Sequence, residues 1–122
     1  TIFISFLCLE LIIVVMDRSI NRIELRGRVG QDARISKVGE SYVARFSIAT
    51  NETIKDHMGN IREETTWHSV SAWKNRDMPD FEKIRKGMCL YVVGKMRTVK
   101  YKNQDGQERL FYEVLASKIT IE

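Results

Sequence analysis

Alternation of apolar and polar positions is the strongest signal in this chain. Ile23, Leu25, Gly27 and Val29 alternate with Arg22, Glu24, Arg26 and Arg28, the period-two pattern of a strand with one buried and one wet face. Gly30-Gln31-Asp32 interrupts the pattern, and Arg34 to Val38 resumes it before a turn at Gly39-Glu40-Ser41, which predicts a kinked or bulged strand. Ala44, Phe46, Ile48 and Thr50 then alternate with Arg45, Ser47 and Ala49 as a second strand, and the polar run Asn51 to Asn60 reads as a loop.

Glu63 to Trp73 is the third strand, with His68, Val70 and Ala72 on one face and Trp67, Ser69, Ser71 and Trp73 on the other. Asp77 to Lys86 is the one helical candidate: Asp77 can cap it, Pro79 sits in its first turn, Phe81 and Ile84 follow at helical spacing, and Gly87 ends it. Met88 to Tyr101 and Arg109 to Ile121 are two further strands joined by the turn Asn103-Gln104-Asp105-Gly106. This order predicts an all-β chain, a five-stranded OB-fold barrel with one short helix between strands 3 and 4.

The chain has 122 residues, 43% of them hydrophobic, which is enough for one core and too little for two. Residues 1–15 do not share the pattern. Thr1 to Met16 is apolar apart from Glu10; it is too short to span a bilayer comfortably, and it lacks the basic start and small-residue cleavage site of a secretory signal. The expectation is a native start at Met16, an extraneous segment over 1–15, one domain over 16–122 and no membrane partner. Cys8 and Cys89 show neither a disulfide framework nor a metal spacing, so both are read as reduced, as in a cytoplasmic protein.

Charge changes the picture modestly. Twenty Lys and Arg face sixteen Asp and Glu, a net +4 that favours a polyanionic partner. Gly94-Lys95-Met96 lacks the rest of a phosphate loop, and Gly27-Arg28-Val29-Gly30 reads as a backbone kink in place of a nucleic-acid clamp. With two histidines and scattered carboxylates there is no catalytic triad and no metal set, so no enzyme activity, catalytic residue, metal or cofactor is expected. The informative set is aromatic and basic: Trp67 and Trp73, then Arg97, Lys100 and Tyr101, with Lys74, Arg76 and Lys102 nearby. Exposed rings stack bases of any sequence while basic groups follow phosphates. Tryptophan is also a common core residue, but the smaller row of His68, Val70 and Ala72 suits a barrel interior and favours tryptophans outside. Tyr101 could equally brace the hairpin turn, and Lys83, Arg85 and Lys86 read by pattern as a solvated face. His68 reads as a hydrogen-bonded structural or interface residue, and His57 as solvated.

Specific strings resemble bacterial single-stranded DNA-binding proteins: Asn21-Arg22-Ile23-Glu24-Leu25 with Gly30-Gln31-Asp32, then FSIATNE from Phe46 to Glu52, then Glu64-Thr65-Thr66-Trp67-His68. Arg85-Lys86-Gly87, Tyr91-Val92-Val93-Gly94, Arg97-Thr98 and Asn103-Gln104-Asp105-Gly106 extend the likeness, which runs from about Asn21 to Ile121. The resemblance implies an OB-fold homotetramer, nucleoid-associated, that binds and protects single-stranded DNA in replication, recombination and repair. It implies stacking on Trp67, Trp73 and Tyr101, phosphate contacts from Lys55, Arg85, Lys86, Arg97 and Lys100, and a subunit contact at His68.

Two departures stand out. Many such proteins carry another stacking tryptophan where this chain has Ile54, which implies weaker binding through that loop. Many also continue into a Gly- and Pro-rich linker with an acidic tip that recruits replication and repair proteins; here Glu122 comes last, so recruitment by that route is not expected. The competing reading is an OB module that binds RNA or serves as a primosome accessory.

Overall fold

A computed structural model describes residues 18–122, and six strands and one short turn organise them: β1 Ile23–Val29, β2 Arg34–Val38, β3 Ser41–Lys55, β4 Ile61–Trp73, a 3-10 turn at Phe81–Lys83, β5 Cys89–Lys102 and β6 Glu108–Ile121. The expectations placed on residues 1–16, including the start at Met16 and the state of Cys8, lie outside the described residues.

The strands form one sheet in the order β1-β5-β6-β4-β3-β2, and an added β1–β3 pairing closes it. Ile23 to Arg28 of β1 run antiparallel to β5, whereas Arg28 and Val29 face Ala49 and Ile48 of β3. β2 then continues along β3, from Arg34 opposite Arg45 to Val38 opposite Ser41. β1 and β2 are therefore two arms of one strand bent at Gly30–Ala33, and the closed circuit has five strands, as in an OB barrel. Gly27 permits the closure: a Cβ there would lie 2.1 Å from the Ala49 carbonyl oxygen, so no larger residue fits where the strands cross. The parallel pairing of Val70 to Ala72 with Val114 to Ala116 completes the ring.

The interior follows the predicted alternation. Ile48, Val70, Ala72, Leu90, Val92 and Val114 point inward and are buried, while Trp67 and Trp73 point outward. β3 and β4, however, run well beyond the expected loop. Their register is unbroken from Val43 opposite Trp73 to Lys55 opposite Ile61, so most of Asn51 to Asn60 belongs to a hairpin. Both faces of this projecting arm are wet, which removes the alternation that would have marked it. Cross-strand bonds hold it instead: the Thr65 hydroxyl donates to Asn51 Oδ1 at 2.7 Å, and Asp56 Oδ1 accepts the N–H groups of Met58 and Asn60 across the turn, both at 2.9 Å.

The helix expected over Asp77 to Lys86 is not formed. The segment holds only the 3-10 turn, and the capping role expected of Asp77 falls to Asp80, which accepts from Glu82 N–H at 3.1 Å. Two causes are visible. Pro79 supplies no N–H and biases Met78 away from the helical region. The carbonyls a helix would use are engaged elsewhere: those of Met78 and Pro79 accept from Lys74 Nζ at 3.3 and 2.8 Å, and that of Ile84 accepts from Ala33 N–H at 3.1 Å. Met78, Phe81 and Ile84 recur every three residues, the period of a 3-10 turn, and all three are buried as a plug in one end of the barrel.

Candidate nucleic-acid interface

Trp67 owes its position to two short neighbours. It stands opposite Ala49 on β3, and its indole lies against Gly30, where a Cβ would come within 2.4 Å of ring atom Cζ3 and 2.8 Å of Ser47 Oγ. The bend that breaks the first strand thus leaves a seat for the ring, and 60% of Trp67 remains exposed. Trp73 shares that strand face six residues on, roughly 20 Å away at the rise of an extended strand, and is 37% exposed.

A cleft of about 290 Å³ begins beside Trp67 and crosses the barrel surface. Gln31 and Ser47 belong both to its wall and to the hollow under Trp67, so the two lie side by side. Its far wall is Phe111 and Glu113 of β6, with Ser69 and Ser71 of β4 between, and Arg34 and Arg45 reach it from β2 and β3. Phe111 packs on Tyr101 of β5, ring centroids 5.7 Å apart and tilted by 60°, with 39% and 47% exposure respectively. The outcome is two aromatic walls, Trp67 and the Tyr101–Phe111 pair, with hydroxyl and guanidinium groups in the gap.

The predicted basic residues are distributed unevenly. Asp32, on the cleft rim, accepts the Lys86 N–H at 2.8 Å and lies 3.8 Å from Arg85 Nη1, which brings both residues to one end of the cleft. Lys55 is on the Trp67 face by register but out at the tip of the β3–β4 arm, six residue pairs from Trp67. Lys100 pairs with Leu110 and so lies on the opposite face of its hairpin from Tyr101. Arg97 is on the aromatic face, yet its Nε donates to Glu113 Oε1 at 2.6 Å and Nη2 bonds the same oxygen. Ile54 opposes Arg62, on the face away from Trp67. His68 is on the inner row, partly buried, with its Nε2 hydrogen-bonded to Thr50 Oγ1 at 2.9 Å.

Phe111, Arg34 and Arg45 were not singled out from the sequence. Leu110-Phe111-Tyr112 is an unbroken apolar and aromatic run, so alternation alone does not orient it. Counting back by twos from buried Val114 and Ala116 places Phe111 on the outer face, a signal present in the chain. Away from the cleft, the Tyr91 hydroxyl donates to Glu24 at 2.8 Å, which lowers the Glu24 carboxyl below its usual range and raises the Tyr91 phenol. Glu122, bonded to Arg26 at 2.9 Å, raises the guanidinium. None of these groups lines the cleft. Among the described residues no set of three or more His, Cys, Asp or Glu side chains could hold a metal ion, and no helix is long and apolar enough to cross a membrane.

A sequence model of the single-strand binding protein family matches residues 20–121. The mitochondrial single-stranded DNA-binding protein of Oryctolagus cuniculus is 35% identical over 115 residues, covering 87% of this chain and 77% of that protein. The single-stranded DNA-binding protein of Xylella fastidiosa is 36% identical over 105 residues, covering 85% of this chain and 64% of its own length. This chain spans 59% of the Neisseria meningitidis relative, which is 33% identical. Among solved structures, a Plasmodium falciparum SSB complex with ssDNA aligns at a TM-score of 0.75 and 30% identity over 87% of this chain and 97% of that one.

Proposed function

The chain belongs to the single-strand binding protein family, whose members are non-enzymatic DNA-binding proteins, and from that premise we propose that it binds and protects single-stranded DNA by laying bases between Trp67 and the Tyr101–Phe111 pair. The observation that carries this reading is the pair of adjoining hollows, sharing Gln31 and Ser47, that lead from the Trp67 seat to Phe111. Rings exposed on both sides of a polar trough let bases stack without regard to sequence. Arg34 and Arg45 inside the cleft, with Arg85 and Lys86 at its end, follow the phosphates. Trp73 and Lys55 extend the track along β4 and the projecting arm, and Lys100 contributes from the other side of its hairpin.

Replication, recombination and repair are the settings in which such a protein meets its ligand, at a nucleoid. We further propose a homotetramer with His68 at a subunit contact; solution mass of the wild type beside His68→Ala tests it, a shift to smaller species in the variant supporting it.

Titration with oligo-dT across a salt series tests the binding mode. Six phosphate contacts predict a slope of log affinity against log salt of roughly −4, and a weaker response is expected to RNA of matching sequence. No binding at low salt would overturn the proposal.

A further inference from the structure

A carboxylate on the wall of a cleft for a polyanion calls for a reason. Glu113 is only 6% exposed, and both its oxygens are held: Oε1 by Arg97 and Oε2 by the Ser71 hydroxyl at 3.1 Å. Arg97 sits directly opposite Glu113 in the β5–β6 register, and Ser71 reaches over from β4, so one carboxylate ties three strands together. The Arg97 side chain remains 40% exposed on the face that carries Tyr101 and Phe111.

We propose that Glu113 is a positioning residue that turns Arg97 from a phosphate contact into a base contact. Paired with a buried carboxylate, the guanidinium carries no net charge into the cleft and displaces no counterion from DNA. Its plane is fixed beside the aromatic pair, where it offers a flat face and its remaining N–H donors to a base. The neutral pair offers phosphates no attraction, whereas Arg34 and Arg45 do, so the strand enters bases inward with its backbone toward those two arginines. Glu113 thereby sets the balance between stacking and charge in this cleft, a balance the resemblance to relatives does not address.

The inference rests on DNA binding in this cleft, and salt dependence separates the two. In oligo-dT titrations, the double variant Arg97→Met/Glu113→Gln, which removes both charges of the pair together, is expected to lose about tenfold in affinity with the slope of log affinity against log salt unchanged. Glu113→Gln frees one cation and is expected to steepen that slope by about 0.7, the increment for one phosphate on a single strand. A merely structural Glu113 would change affinity without changing the slope. A slope shallower by about 0.7 in the double variant, or an unchanged slope in folded Glu113→Gln, overturns the inference while leaving the DNA-binding reading in place. The double variant decides alone if Glu113→Gln does not fold, because it leaves neither an unpaired guanidinium nor an unpaired buried carboxylate. A wild-type protein that fails to bind oligo-dT removes both.

Discussion

Trp67→Ala is expected to weaken oligo-dT binding by roughly 1–3 kcal/mol, or about fivefold to more than a hundredfold, with little change in thermal stability. The asymmetry follows from where the ring sits. Trp67 is 60% exposed, so the folded protein loses little buried surface when it is truncated, while the cleft loses one of its two aromatic walls. Gly30 has no side chain with which to fill the vacated seat. Fluorescence anisotropy of labelled oligo-dT, read beside a melting curve, separates the two effects. An affinity loss that tracked a fall in melting temperature would show Trp67 to be structural.

Phe81→Ala has the opposite signature. Phe81 is 4% exposed and plugs the barrel end together with Met78 and Ile84, and the Lys74 ammonium lies 5.4 Å from its ring centre. Truncating a buried phenylalanine costs about 3–5 kcal/mol in transfer and cavity terms, which for a domain of this size lowers the melting temperature by roughly 15–30 °C. The segment has only a three-residue turn of regular structure, so its position rests on this packing together with the tertiary bonds from Lys74, Ala33 and Asp32. Below the transition, oligo-dT affinity should stay near wild type, because Phe81 lines no part of the DNA cleft. Differential scanning calorimetry gives the shift, and a fall of only a few degrees would mean the plug contributes little.

Wherever one strand face is buried and the other wet, the chain declares its structure. Leu25 and Val29, Phe46 and Ile48, and Val70 and Ala72 all fall inward as their alternation predicts, and the outward direction of Trp67 follows from the same count. That logic lapses where neither face is buried, as along Asn51 to Lys55 and Ile61 to Thr66, so the projecting arm looked like a loop. It lapsed differently at Asp77 to Lys86, where spacings of three fit a helix and a 3-10 turn alike and the decision lay with Lys74 and Ala33, whose bonds to the segment are tertiary. The cleft was half legible. Its rings could be named from the chain, but the capture of Arg97 by Glu113 joins positions sixteen residues apart, and only the register of β5 on β6 reveals it.

The central claim is that bases stack on Trp67. Trp73→Phe leaves Trp67 as the sole tryptophan among the described residues, since the chain has two, so the emission of that variant reports on one ring. Titrated with oligo-dT at low salt, it should be quenched to saturation, with the quench lost as salt rises. Emission that stays unchanged while anisotropy shows the DNA bound would place the bases elsewhere and contradict the account.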